Sequence, residues 1–130
     1  MKENKKTELI KDFTEMPVWQ KAMEIAEKCF YISENLPKKE DYALTSQLRR
    51  SAQSISANIA EGFGRRTTKD KSRFYDISRG SAFETKSHLI YGIKVNYFSE
   101  NQYLEIEKLI NEVIHELNKI NTHLNKNIQS

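Results

Sequence analysis

Cysteine and tryptophan each occur once in these 130 residues, proline twice and glycine four times. The lone Cys29 excludes an intramolecular disulfide and a cysteine-built zinc site. With so little glycine and proline, and with Glu, Lys, Leu, Ile, Ala and Gln plentiful, the composition favours helix over sheet. No apolar run approaches the ~20 residues of a membrane span. Residues 1–15 lack the apolar centre of a signal peptide. The expectation is one soluble domain in a reduced, cytoplasmic setting, with no membrane partner. A chain of this length removes roughly two-thirds of its unfolded surface from water, enough for a true core.

Charge is present in both signs but unevenly placed. The net charge is +3, yet residues 49–79 hold eight basic residues against three acidic ones, a local +5. A basic middle on a slightly acidic frame fits an anionic partner or a merely solvated face.

Periodicity marks four helices, expected at about 17–36, 42–61, 68–95 and 100–125, between tails at 1–15 and 127–130. Pro17 suits a first helical turn. Val18, Ala22, Ile25, Cys29, Ile32 and Leu36 then form a heptad stripe that Leu36-Pro37 ends. Asp41 is the expected cap of a second helix with core positions Leu44, Leu48, Ala52, Ile55 and Ile59. Gly62 is its expected left-handed end. Thr67 or Thr68 caps the third helix and Asn96 closes it. Ser99 with Gln102 matches a capping box, and Tyr103, Ile106, Ile110, Val113, Leu117, Ile120 and Leu124 step 3-4-3-4-3-4 along the fourth helix. The expected fold over residues 16–126 is all-α, an up-down-up-down four-helix bundle.

Two features exceed what one bundle needs. Gln47, Ser51, Ser54, Asn58 and Glu61 make a small, polar stripe beside the apolar one on the second helix. The third helix is apolar over most of its circumference, with Phe74 and Ile77 on one face, Tyr75, Ala82 and Leu89 on another, and Phe83, Ile90 and Tyr97 farther round. Burial on two sides points to a second copy of the chain.

Candidate chemistry is sparse. Ser56-Ala-Asn-Ile-Ala-Glu-Gly-Phe-Gly-Arg-Arg66 looks glycine-rich, but it follows a helix rather than a strand and lacks Gly-Lys-Ser/Thr, so it is no P-loop. One Glu-x-x-His occurs, Glu112 to His115, where a di-iron bundle needs two. His115 falls on the side away from Val113, and His123 on the surface. His88 reads as a hydrogen-bonded interior histidine and Cys29 as a small core hydrophobe. Neither a catalytic centre nor a cofactor nor a metal is expected. Glu61 or Glu84 is expected to pair with Arg49 or Arg50 within or between chains. The basic cluster of Arg49, Arg50, Arg65, Arg66, Lys69, Lys71 and Arg73, with Tyr75 adjacent for stacking, is the candidate for phosphate contacts to RNA or DNA.

The order Trp19-Gln-Lys-Ala22, then Leu44-Thr-Ser-Gln-Leu-Arg-Arg-Ser-Ala-Gln-Ser-Ile-Ser-Ala-Asn-Ile-Ala-Glu-Gly-Phe-Gly-Arg-Arg66, then Phe74 and Gly80-Ser-Ala-Phe-Glu84 resembles the four-helix-bundle proteins encoded in bacterial 23S rRNA intervening sequences. The resemblance spans roughly residues 13–125. It implies a ring-shaped homo-oligomer, typically a pentamer. It also implies kinship with the accessory protein of diversity-generating retroelements, which engages a reverse transcriptase and nucleic acid. Two functions follow as expectations. One is a non-enzymatic oligomer that binds RNA or another nucleic acid through its basic patch. The other is a structural or protein-binding adaptor whose subunit contacts use Arg49, Arg50, Asn58, Glu61, Phe83, Glu84 and Ile90.

Overall fold

The structure, a computed structural model, describes residues 10–129. Its described residues are all-α, with four long helices and no strand: α1 (Pro17–Ser33), α2 (Leu44–Gly64), α3 (Thr68–Lys94) and α4 (Glu100–Gln129). Short 3-10 turns precede α1 (Phe13–Glu15) and lie between α1 and α2 (Lys38–Glu40). Each helix packs on the next and α1 also packs on α4, while the backbones of the diagonal pairs, α1–α3 and α2–α4, stay farther apart. One core therefore runs down the middle, lined by Ile25, Leu48, Ile55, Ile59, Leu89, Ile110 and Leu117, all completely buried.

The ends of the helices show which local signals win. Thr67 caps α3, its Oγ1 accepting from the Asp70 amide at 3.1 Å. Ser99 and Gln102 form the capping box, with the Gln102 amide donating to Ser99 Oγ at 3.2 Å and the Ser99 amide donating to Gln102 Oε1 at 3.0 Å. Asn96 takes the left-handed conformation at φ 67°. The Asn96 amide donates to Ile93 O at 2.9 Å and the Tyr97 amide to Gly92 O at 2.8 Å, the two bonds of a Schellman ending.

Other boundaries differ from the sequence-based expectation. α1 stops at Ser33 rather than Leu36, because Glu34 and Leu36 bond three residues back, to Tyr31 O and Ser33 O, and Leu36 precedes proline. α2 begins at Leu44, not 42, and Asp41 does not cap it. Glu40 takes that role, its Oε1 accepting from the Leu44 amide at 3.2 Å while its Oε2 accepts from the Tyr97 hydroxyl at 2.8 Å. The same carboxylate thus ties the α1–α2 link to the α3–α4 turn. Gly62 is not the left-handed end of α2, since no glycine has positive φ. It is helical and buried, and a methyl group on it would lie 2.7 Å from Tyr75 Cε1. Glycine is needed there for close approach of α3, not for a turn.

The segment expected as a tail over 1–15 is partly packed: Phe13 meets Trp19 edge-on at 5.2 Å, and Gln20 Nε2 donates to Thr14 O at 2.9 Å. Residues 1–9 lie outside the described part. α4 continues through the expected 127–130 tail as far as Gln129.

The small, polar stripe of α2 faces α3. Ser54 Oγ and Ser81 Oγ share a hydrogen bond at 2.8 Å, Thr85 Oγ1 lies 2.9 Å from Ser51 Oγ, and Ser78 Oγ donates to Ile55 O at 2.7 Å. Short side chains let the two backbones come close, and their hydroxyls satisfy one another in the buried seam.

Candidate nucleic-acid interface

The corner between α2 and α3 is built from three cations doing different work. Lys71, in the first turn of α3, turns back to α2, where its Nζ donates to Phe63 O at 2.7 Å and Gly62 O at 3.4 Å. It thereby satisfies the carbonyls that end α2 and is spent on structure. Arg65 pairs with Glu61 at 2.9 Å and lies over the Phe74 ring, 4.5 Å from its centroid. Arg73 approaches the same ring at 5.4 Å.

Arg66, Lys69 and Arg73 point to solvent. Among the described residues none of the three enters an ion pair. Lys69 and Arg73 rim an open groove of about 600 Å³ whose other walls are Ser72, Asp76, Ile77 and, from α4, Asn125. Behind it Asn121 Nδ2 donates to Asp76 Oδ1 at 2.7 Å and to Ser72 O at 3.3 Å, fixing one end of the carboxylate. The groove was hidden in the sequence, since Asn125 is remote from the α3 residues and meets them only through packing.

The remaining candidates lie elsewhere. Arg49 Nε donates to Ser33 Oγ at 2.8 Å and its guanidinium covers Phe30 at 4.4 Å, so it fastens the end of α1 to α2. Arg50 bonds Gln47 at 3.1 Å and pairs with Glu84 of α3, which also meets His88 Nε2 at 3.2 Å. Asn58 Nδ2 donates to Ser54 O at 2.9 Å, inside the α2–α3 seam. Glu61 takes Arg65 as its partner, not Arg49 or Arg50. Tyr75 is buried against Gly62, at 4% exposure, and is not free for stacking on a base. The aromatics at the cations of this corner are Phe74, under Arg65 and Arg73, and Phe63, under Lys71 at 5.6 Å. Phe83 and Ile90 are exposed on the outer side of α3, at 45% and 38%.

The corner therefore offers three exposed cations outside any ion pair among the described residues, with the Asp76 carboxylate in the groove wall held by Asn121, and exposed cations of this kind are what phosphate contacts use. Among the described residues no group of three His, Cys, Asp or Glu is placed to hold a metal ion. His115 and His123 are exposed.

A family model described as 23S rRNA-intervening sequence protein matches residues 14–119. The chain belongs to that family. Among solved structures it is similar to a Bacteroides thetaiotaomicron VPI-5482 protein of unknown function from the S23 ribosomal protein family. The two share 26% sequence identity with a TM-score of 0.74, and the match covers 80% of this chain and 97% of that one. No curated protein matches the chain. The family match spans all of α1, α2 and α3 and most of α4, so the α2–α3 corner lies wholly inside it. Among the described residues no helix is long and apolar enough to cross a membrane.

Cys29 gives a testable contrast with a reactive thiol. Burial pushes its pKa from 9.0 up to about 12, and a thiolate, not a thiol, is the nucleophile. Burial also raises the Tyr103 hydroxyl from 10.0 to about 12, with its hydrogen bond to Glu107 adding to the shift. Folding keeps both protons on, so the associated stability is complete below pH 9 and is lost as pH rises towards 12. The native protein is expected to resist a thiol reagent at pH 8 and to react fully in denaturant. Its urea midpoint is expected to fall between pH 9 and 11. Rapid native labelling, or a midpoint flat across that range, would contradict the burial of these groups.

Proposed function

We propose that the protein is a non-enzymatic, self-assembling bundle that holds RNA at the corner where α2 meets α3. The observation that carries this reading is the trio Arg66, Lys69 and Arg73, exposed and without ion-pair partners among the described residues, of which Lys69 and Arg73 rim an open groove. The family's description, which names 23S rRNA intervening sequences, supports RNA over other anions. The contact order between α2 and α3, Ser51 with Thr85, Ser54 with Ser81 and Ile55 with Ser78, descends along one helix as it ascends along the other. It supports the up-down-up-down arrangement. The exposed Phe83 and Ile90 support self-association, which we read as a ring of five in the cytoplasm.

The adaptor reading keeps one specific observation in its favour. Arg49 and Arg50 are already bound to protein groups, so those two arginines serve packing rather than phosphate. A polymerase partner, by analogy with the retroelement accessory protein, belongs to that reading.

The test is a fluorescence-anisotropy titration with single-stranded RNA and DNA across a salt series. Each phosphate contact to a single strand contributes a slope of about 0.7 in log K against log salt. Reversing Arg66, Lys69 and Arg73 to Glu is expected to flatten the slope by about 2 per engaged subunit, with assembly unchanged. No binding at low salt, or an unchanged slope in the triple variant, would sink the proposal.

A further inference from the structure

The interior of the groove between α3 and α4 suits a hydrogen-bond donor better than a phosphate, because a carboxylate lines it. Asp76 is exposed there and, among the described residues, enters no ion pair. Its Oδ1 accepts from Asn121 Nδ2 at 2.7 Å, and no described residue bonds its Oδ2. Asn121 is itself buried, at 8% exposure, and the same Nδ2 also donates to Ser72 O. The carboxylate is thus pinned by one oxygen and keeps the other as an acceptor in the groove wall.

Asn125 brings the complementary group from α4. Its Oδ1 accepts from Ser72 Oγ at 3.4 Å, which leaves its Nδ2 hydrogens without a partner among the described residues. Ile77, 40% exposed, adds an apolar wall, and Lys69 and Arg73 stand at the rim. A flat group that carries donors beside an acceptor satisfies this set. Among the RNA bases, guanine places two neighbouring donors, N1–H and N2–H, next to a carbonyl, O6. Adenine and cytosine offer a single amine beside a ring-nitrogen acceptor. Uracil flanks its one N–H with two carbonyls, and these would face the carboxylate.

We infer that the groove takes an unpaired guanine of single-stranded RNA, with N1–H and N2–H donating to Asp76 and O6 accepting from Asn125. Ile77 covers one face of the base, and Arg66 and Lys69 meet the adjoining phosphates. Unstacked bases of single strands are read in this way, on their Watson–Crick edges. The inference rests on the RNA binding proposed above and adds a base preference to it.

Fluorescence anisotropy on the full chain at low salt tests this. The probes are short oligouridines carrying one guanosine, inosine, adenosine or cytidine at the centre, beside the unsubstituted oligomer. The guanosine oligomer is expected to bind about tenfold more tightly than oligouridine, the scale of one well-made base contact. Inosine, which lacks the 2-amino group, is expected to fall between the two. Asp76→Asn keeps an oxygen for Asn121 but replaces the remaining acceptor with a donor, so the guanosine-to-uridine ratio is expected to drop to about one. Far-UV circular dichroism checks that this variant stays helical, and the inosine comparison needs no variant at all. Inosine binding as well as guanosine, a preference for another base, equal affinity throughout, or a guanosine preference that helical Asp76→Asn keeps would overturn the guanine pocket and leave RNA binding standing. No binding of any oligomer would overturn both.

Discussion

Replacing Gly92 by alanine is expected to destabilise the protein by about 2–3 kcal/mol, although alanine is the better helix former by about 1 kcal/mol. Gly92 is buried near the end of α3, and a methyl group there would overlap the Phe98 ring at Cδ2 and Cε2. Phe98 has little room to yield. It is 6% exposed, and its amide and that of Tyr97 both bond Gly92 O, so backbone and ring close over the same residue. Expelling the ring forfeits about 1.5–3 kcal/mol of burial, and keeping it strains the Schellman ending. For a domain of this size the melting temperature should fall by about 10 °C. Gly80→Ala is the control. Nothing surrounds that position within 4 Å, so helix propensity acts alone and the fold of the single chain should gain about 1 kcal/mol. Equal effects at the two glycines, measured by urea unfolding at one protein concentration, would contradict the packing described at Phe98.

Leu48→Ala is expected to cost about 3–4 kcal/mol. Leu48 is fully buried in the stripe of α2 that faces the middle of the bundle, with Ile55 and Ile59 in the same row. Truncation removes the transfer energy of the side chain and leaves a cavity that four packed helices cannot close. Leu104 is the comparison on α4: it is 54% exposed, one position from buried Tyr103, and its truncation should stay within about 0.5 kcal/mol. Both are leucines in long helices, so a similar loss at the two sites would mean that the assigned core face is wrong. Unfolding midpoints in urea decide between these outcomes.

Much of this architecture was legible in the residues. The heptad stripes of α1, α2 and α4 correspond to buried rows, because a four-helix core needs one apolar line per helix and little else competes. The caps at Thr67, Ser99 and Asn96 were readable because a capping motif is a local bond between near neighbours. The errors came where a distant partner decided. Gly62 read as a stop signal, since glycine after an apolar run usually ends a helix, but the constraint is Tyr75 pressing from α3. Asp41 read as a cap, yet Glu40 is the residue held in place by Tyr97 from the other end of the chain.

The site was legible in part, and for the same reason. A run of cations is visible in sequence, but its division of labour is not. Lys71 is like its neighbours in sequence, but its amine is held by the last carbonyls of α2. Arg49 and Arg50 looked like part of the patch, and packing places them against Ser33, Phe30 and Glu84. Tyr75 was a reasonable stacking platform by proximity and turns inward. Arg65 and Arg73 lie over Phe74, Lys69 and Arg73 rim the groove beside it, and Arg66 stands exposed between them in the sequence.

Ultraviolet cross-linking of the intact protein to single-stranded RNA at low salt, followed by peptide mapping, tests the central claim most directly. Adducts are expected within residues 63–77, which hold Phe63, Phe74 and the exposed cations, and are expected to disappear when Arg66, Lys69 and Arg73 are reversed to Glu. Adducts confined to other parts of the chain, or none at all, would contradict it.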